Sequence, residues 1–205
     1  YILQQAPFYG YDFIVNKHTL IPRPETETII TVAKKDAPFH CALDIGTGSG
    51  NLAITLLLEN IVHHIDAIDY SKQALKIAIQ NQQRHNTPEV NFFYNDIFHQ
   101  LPIKKYDLII SNPPYIGKNE YIELNKQLKD YEPKIALTDK NDGLNFYKFF
   151  AKNLGKILNP KGKIILEIGL EKTKQKIQNL FVNNHYKYNW HKDLNGNYRA
   201  IELYK

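Results

Sequence analysis

The stretch that most restricts the fold is residues 42–59. Here Ala42-Leu43-Asp44-Ile45 runs directly into Gly46-Thr47-Gly48-Ser49-Gly50 and then into an apolar helical segment, 51–59. An aliphatic run of strand length that turns through glycines into a helix lets the backbone approach a ligand closely. The helix start adds N–H donors and positive potential at the same place. The dinucleotide fingerprint is Gly-x-Gly-x-x-Gly, and its sixth position here is Asn51, which counts against a nicotinamide cofactor.

The alternation continues downstream. Residues 64–69 form a second strand that ends in Asp69, about twenty residues beyond the glycine loop, where a carboxylate accepts from ribose hydroxyls. The competing role for Asp69 is N-cap of the helix at 71–86, which Ser71 serves equally well. Strands follow at 89–94 and 106–111, with Asn95-Asp96-Ile97-Phe98 between them. Residues 116–136 are polar, with Tyr121, Leu124, Leu128 and Tyr131 on one helical face, and Tyr131-Glu132-Pro133 closes that segment. Asp142-Gly143-Leu144 opens a helix running to 158, Asn159-Pro160-Lys161-Gly162 is a turn, and 163–168 is a fifth strand. A helix at 173–183 precedes two closing antiparallel strands, 186–190 and 199–204, around Asn195-Gly196.

Upstream, residues 1–21 predict a hairpin, with Phe13-Ile14-Val15 and Thr19-Leu20-Ile21 as strands and Asn16-Lys17-His18 as the turn. Pro22-Arg23-Pro24-Glu25-Thr26-Glu27 follows, and its acids suit the positive end of a helix beginning near Pro24. Two prolines around an arginine are costly for a plain linker, so this segment is read as a lid. Strands alternating with helices imply an α/β chain with a doubly wound, mainly parallel sheet. Residues 1–24 are taken as hairpin and lid, and 25–205 as the catalytic domain; there are no internal repeats.

At 205 residues and 43% hydrophobic content, the chain suits one well-buried domain. It has no run of 18 apolar residues and no charged-then-apolar leader, so neither a membrane span nor a signal peptide is expected. The single cysteine, Cys41, forms no internal disulfide, and a reducing cytoplasm and no metal site are expected. The chain begins at Tyr1 and holds no methionine, so the native start is expected to lie elsewhere. A net charge of +5 suits RNA or an acidic partner, although spread-out lysines read more simply as a solvated face.

The chemistry concentrates at Asn112-Pro113-Pro114-Tyr115, just after the buried strand. Two prolines remove two donors and fix two φ angles, and Pro113 keeps Asn112 out of the α region. The result is a stiff loop at a strand's carboxyl end, where ligands of open α/β sheets bind. Asn112 offers a side-chain carbonyl, and the backbone carbonyls of Asn112 and Pro113 are further acceptors. Accepting both hydrogens of a substrate –NH2 favours a tetrahedral nitrogen with an exposed lone pair, while Tyr115 lies flat against a planar amide or base. The bland alternative is a rigid turn with Asn112 as turn former.

Glycine loop, acidic second-strand end and Asn-Pro-Pro-Tyr together resemble a class I S-adenosylmethionine-dependent methyltransferase of the amino-group type. Residues 22–27, 112–116, Tyr131-Glu132-Pro133 with Ala136-Leu137, Asp142-Gly143-Leu144 with Tyr147, and Glu167-Ile168-Gly169 narrow this further. That set is similar to the HemK/PrmC family, protein-(glutamine-N5) methyltransferases that modify the Gly-Gly-Gln glutamine of class I peptide-chain release factors. The resemblance covers Phe8 to Glu202 and implies a Rossmann-like sheet of seven strands after a short N-terminal β-hairpin. It implies that Gly46, Thr47, Gly48, Ser49 and Gly50 contact the methionine part of S-adenosylmethionine, Asp69 its ribose and Ile97 its adenine.

By the same resemblance Asn112 meets cofactor and substrate, with Pro113, Pro114 and Tyr115 completing the amide pocket; Asn112, Pro113 and Tyr115 are the catalytic set. Arg23, Pro24 and Glu25 match the family's lid, with Arg23 and Glu25 on the substrate side. Two departures are visible. The helical N-terminal domain that helps such enzymes grip the release factor is not in these residues, and the glutamine often found after Glu-Ile-Gly is replaced by Leu170-Glu171-Lys172. Three competing readings stand: an adenine-N6 DNA or RNA methyltransferase, whose exocyclic amine presents the same two hydrogens; a catalytically silent cofactor-binding adaptor for RNA or ribosome; and a nicotinamide oxidoreductase. His63-His64 lacks metal-ligand spacing, and Tyr186, Tyr188 and Trp190 read as core.

Overall fold

The computed structural model describes residues 4–169 and 171–205. The N-terminal hairpin pairs β1 (Gln5–Phe8) with β2 (Tyr11–Ile14), antiparallel, so that Ala6 faces Phe13 and Phe8 faces Tyr11. The expected pairing of residues 13–15 with 19–21 is therefore corrected, and residues 1–3 lie outside the described residues. The reason is the turn: Tyr9 and Gly10 both have positive φ, 50° and 82°, the twist that suits a two-residue hairpin. Asn16 instead closes a local loop, its carbonyl accepting from Thr19 N–H and its side chain from His18 N–H.

A 3-10 turn at Pro24–Thr26 leads into α1 (Glu27–Lys34), as the early proline and acids require. The alternation that follows is β3 (Phe39–Ile45), α2 (Asn51–Leu58), β4 (Val62–Asp69), α3 (Lys72–His85), β5 (Val90–Tyr94) and β6 (Tyr106–Ser111). Residues 116–136 are not one helix. Three short ones, α4 (Lys118–Glu123), α5 (Lys126–Tyr131) and α6 (Lys134–Leu137), replace it, because Leu124 adopts ψ 148° and Pro133 breaks the next junction. Tyr131 is consequently 61% exposed rather than packed.

The chain closes with α7 (Asn145–Asn153), β7 (Leu158–Glu167), α8 (Glu171–Val182), β8 (Lys187–Lys192) and β9 (Tyr198–Tyr204). β7 starts earlier than expected: Leu158 already pairs with Tyr106, and the register shifts before Leu108 pairs with Lys163. Asn159 to Gly162 is thus an irregularity within the strand rather than a turn before it. Glu171 opens α8, while Leu170 lies outside the described residues.

The main sheet has the order β5-β4-β3-β6-β7-β9-β8. β3, β4, β5, β6 and β7 run parallel to one another, and β9 runs antiparallel to both β7 and β8. From β3 the chain winds outward to β5, then returns to β6 on the other flank, so the topological switch falls between β3 and β6. That junction opens a crevice at the strands' carboxyl ends.

One core packs β1, β2, α1 and α2 on one face of the sheet, through residues such as Phe13, Ile30, Ile54 and Ile165. The other packs α7 and α8 on the opposite face, through Tyr147, Phe150, Ile177 and Phe181. Tyr186 is buried in it, and Tyr188 and Trp190 pack against it. Among the described residues, no helix is long and apolar enough to cross a membrane.

Candidate active site

The crevice between β3 and β6 holds a cavity of about 330 Å³, within the usual size of small-molecule sites. The loop after β3 forms one wall. Gly46 and Gly48 have φ of 76° and 58°, and a Cβ at either would meet nothing within 4 Å. These glycines are set by backbone conformation and border open space, a cradle of the kind a ligand's extended chain fills. Gly50 differs: a Cβ there would press on the Phe92 ring, 2.9 Å away, and on Ala78 at 3.2 Å. It serves packing beneath the loop and does not line the cavity.

Asp69, at the end of β4, accepts from Gly48 N–H at 2.9 Å and from Ser71 N–H at 2.7 Å. Burial raises its carboxyl pKa, while those N–H groups pull it back. The cap of α3 is Ser71, whose hydroxyl accepts from Ala74 N–H at 3.1 Å. Asp69 is therefore left to brace the glycine loop and line the cavity. Ile97 lines the same cavity and is buried at 5% exposure, giving an apolar surface for a flat ring.

Beneath the loop lies Asp44, fully buried, with no hydrogen-bond partner for either carboxylate oxygen. Burial pushes its carboxyl up to about 7, against the pull of the Thr47 hydroxyl nearby. Its signal in the sequence is an acid inside an otherwise aliphatic strand, between Leu43 and Ile45. Glu167 is a second such acid, ending Ile164-Ile165-Leu166 in β7. Its carboxyl is also pushed up to about 7 by burial, with Thr26 and Arg199 opposing.

On the β6 side, Ser111 hydroxyl donates to Ile45 carbonyl at 2.7 Å, tying the two switch-point strands together. Asn112, Pro113 and Pro114 line the cavity. Asn112 Nδ2 donates to Thr26 Oγ1 at 3.2 Å, so its Oδ1 is the end left to accept. Tyr115 turns away from this cavity. Its ring packs on Gly169, where a Cβ would collide with it, and its hydroxyl donates to Glu167 Oε1 at 3.4 Å. Burial, then the Glu167 charge, raises its pKa.

Arg23 lines the cavity mouth and is ion-paired with the buried Glu132, which joins the proline segment to the turn after α5. Glu25 faces a separate groove between α1 and the β8–β9 turn. The structure thus brings Gly46, Thr47, Gly48, Ser49, Asp69, Ile97, Asn112, Pro113, Pro114 and Arg23 around one cavity, and leaves Gly50, Tyr115 and Glu25 outside its wall. Thr26 and Asn81 carry no signal in the sequence. Asn81, buried in α3, donates to Ser49 and Ile14 carbonyls at 2.9 Å each, holding the glycine loop from behind. Among the described residues, no group of three His, Cys, Asp or Glu is placed to hold a metal ion.

The sheet order, the antiparallel last strand and the cavity at the switch point are those of a class I S-adenosylmethionine-dependent methyltransferase fold. A solved methyltransferase from Pyrococcus furiosus superposes with a TM-score of 0.69 at 20% identity, covering 96% of this chain and 89% of that one. Residues 25–128 match the model of the methyltransferase small domain. The release factor glutamine methyltransferase of Bacillus cereus is 36% identical over 214 residues, 98% of this chain and 74% of that protein. A bifunctional methyltransferase of Rickettsia typhi is 38% identical over 226 residues, and the chain spans 43% of its length. The chain belongs to the release factor glutamine methyltransferase family.

Proposed function

We propose that this protein transfers a methyl group from S-adenosylmethionine to the side-chain amide nitrogen, N5, of the glutamine in the Gly-Gly-Gln motif of class I release factors. The observation that carries the reading is Asn112. It stands in the cavity wall with its amino end engaged by Thr26, so that an acceptor remains for a substrate –NH2 beside the glycine cradle. S-adenosylmethionine, when bound, supplies an electrophilic methyl on sulfur. Transfer of that methyl to the amide nitrogen would leave the cofactor as a neutral thioether and release one amide proton to solvent.

The protein's share is binding and alignment. Gly46, Thr47, Gly48 and Ser49 hold the methionine part, with Gly50 fixing the loop behind them. Asp69 keeps free lone pairs for ribose hydroxyls while both its oxygens accept from backbone, and Ile97 covers the adenine. Asn112 and the Pro113 carbonyl accept the two amide hydrogens, which orients the nitrogen lone pair along the transfer axis. Alignment of this kind is worth several orders of magnitude in rate. The guanidinium of Arg23 borders the substrate's approach, while Glu25 lies outside the cavity wall; residues 1–24 are hairpin and lid and 25–205 the catalytic domain. Tyr115 packs on Gly169 behind the loop. The expected compartment is the cytoplasm, where release factors meet the ribosome.

Offering radiolabelled cofactor with a release factor, the same factor with its Gly-Gly-Gln glutamine changed to alanine, and duplex DNA tests this directly. Label is expected on the intact factor alone, and Asn112→Ala lowers kcat by about 10²- to 10³-fold with the fold intact by circular dichroism. Label on DNA instead would transfer the assignment to adenine chemistry.

A further inference from the structure

An asparagine that must accept has a weakness: turned over about its last bond, it presents two donors to the substrate instead. Something has to choose the end. Asn112 Nδ2 donates to Thr26 Oγ1, and Thr26 is buried at 3% exposure, so its own proton needs a protein acceptor rather than water. The Glu167 carboxyl, at the end of β7, accepts the Tyr115 hydroxyl on Oε1 at 3.4 Å, its Oε2 is buried with no hydrogen-bond partner, and the Thr26 hydroxyl is among the groups that favour its ionised form. Its backbone carbonyl is fixed in turn by the Tyr147 hydroxyl of α7, at 2.7 Å.

We propose that Glu167 is a positioning residue: its carboxylate draws the Thr26 proton, Thr26 is thereby left to accept from Asn112, and Asn112 Oδ1 is kept facing the acceptor nitrogen. The proposal rests on the reading of Asn112 given above and adds two residues to it. Protonated, Glu167 donates to Thr26; the Thr26 proton then turns toward Asn112, and the acceptor end of Asn112 turns toward Thr26.

The charges around Glu167 come from several elements. Arg199 of β9 favours its ionised form and Glu25 of the 3-10 turn opposes it, while the Tyr115 and Tyr147 hydroxyls remain neutral because burial raises both. Burial dominates and places the titration at about 7. Above that pH the carboxylate holds the chain of hydrogen bonds in its accepting sense, and below it the sense is lost. Turnover therefore rises with pH through about 7.

The test compares kcat at saturating cofactor across pH for the wild type, Glu167→Gln, Thr26→Val and Thr26→Ser. Glu167→Gln and Thr26→Val are expected to fall roughly 10- to 100-fold at pH 8, Thr26→Ser to recover most of that loss, and the acid limb to vanish in Glu167→Gln. An acid limb unchanged in Glu167→Gln would assign it to another group such as Asp44 and overturn the proposal. The side-chain ¹⁵N resonance of Asn112, assigned by its loss in Asn112→Ala, gives a readout without turnover. It should titrate with a midpoint near 7 in the wild type and stay flat in Glu167→Gln; no titration in the wild type overturns the proposal. Titration with no acceptor methylated would instead remove the functional reading and leave the positioning role standing.

Discussion

Asp44 shows what one buried carboxyl costs the fold. Below its ordinary value of 3.8 the carboxyl is neutral in folded and unfolded chains alike. Between there and about 7 the unfolded chain is ionised while the folded one still holds its proton, so stability falls as pH rises across that window and is lowest above it. Replacing the carboxyl by a neutral amide removes this dependence. The stability gained by Asp44→Asn should be larger at pH 8 than at pH 4 by about 3–4 kcal/mol, read from urea unfolding at the two values. Equal gains at both would mean that the folded carboxyl titrates normally. The acid was plain in the sequence, between Leu43 and Ile45, but its full burial with neither oxygen hydrogen-bonded was not. Asn112 was legible from its neighbours, because two prolines restrict the backbone whatever surrounds it. Tyr115 was read as facing the substrate amide; the ring packs on Gly169, a residue 54 positions away that no local rule connects to it.

At the scale of elements, composition suggests a lid for the proline segment, whereas its ion-pair partner is invisible in the sequence. Arg23 reaches Glu132, 109 residues on, and the pair joins the start of α1 to the α5–α6 turn across the cavity mouth. Glu132 has a side-chain exposure of only 4%, against 35% for Arg23. Removing the arginine leaves a buried carboxylate without its cation. Arg23→Ala is expected to speed tryptic cleavage at Lys126, Lys129 and Lys134 by roughly tenfold, through local opening of α5 and α6 with the global unfolding midpoint little changed. Cleavage at the wild-type rate would show that the pair does not hold the lid. The hairpin strands lie eight residues earlier than expected, at 5 and 11 instead of 13 and 19, for a related reason. Residues 13–15 and 19–21 have strand composition, but the positive φ of Tyr9 and Gly10 places the turn before them. Propensity named the element, and turn geometry fixed its register.

For the whole molecule, Asn81 ties layers that are distant in sequence. Its amide donates to Ile14 of the hairpin and Ser49 of the glycine loop, and accepts from Ile14 N–H at 2.7 Å. Asn81→Asp keeps the shape and removes both donors from a site of 0% exposure. It should lower stability by about 2–4 kcal/mol in denaturant unfolding and weaken cofactor binding by calorimetry, since hairpin and loop loosen together. Loss of stability without loss of affinity would separate the hairpin from the site. The sequence by itself determined the alternation of strands and helices, the glycine loop, the acid closing the second strand and the stiff Asn-Pro-Pro turn. Each of these is a local constraint, written in periodicity, in backbone freedom or in its removal. Only the tertiary structure decided which carboxyls lie buried without donors, which end of Asn112 is free, where Tyr115 packs, and what latches Arg23. Those depend on residues brought together by the sheet order, and burial and hydrogen-bond partnership are properties of that assembly rather than of any stretch of chain.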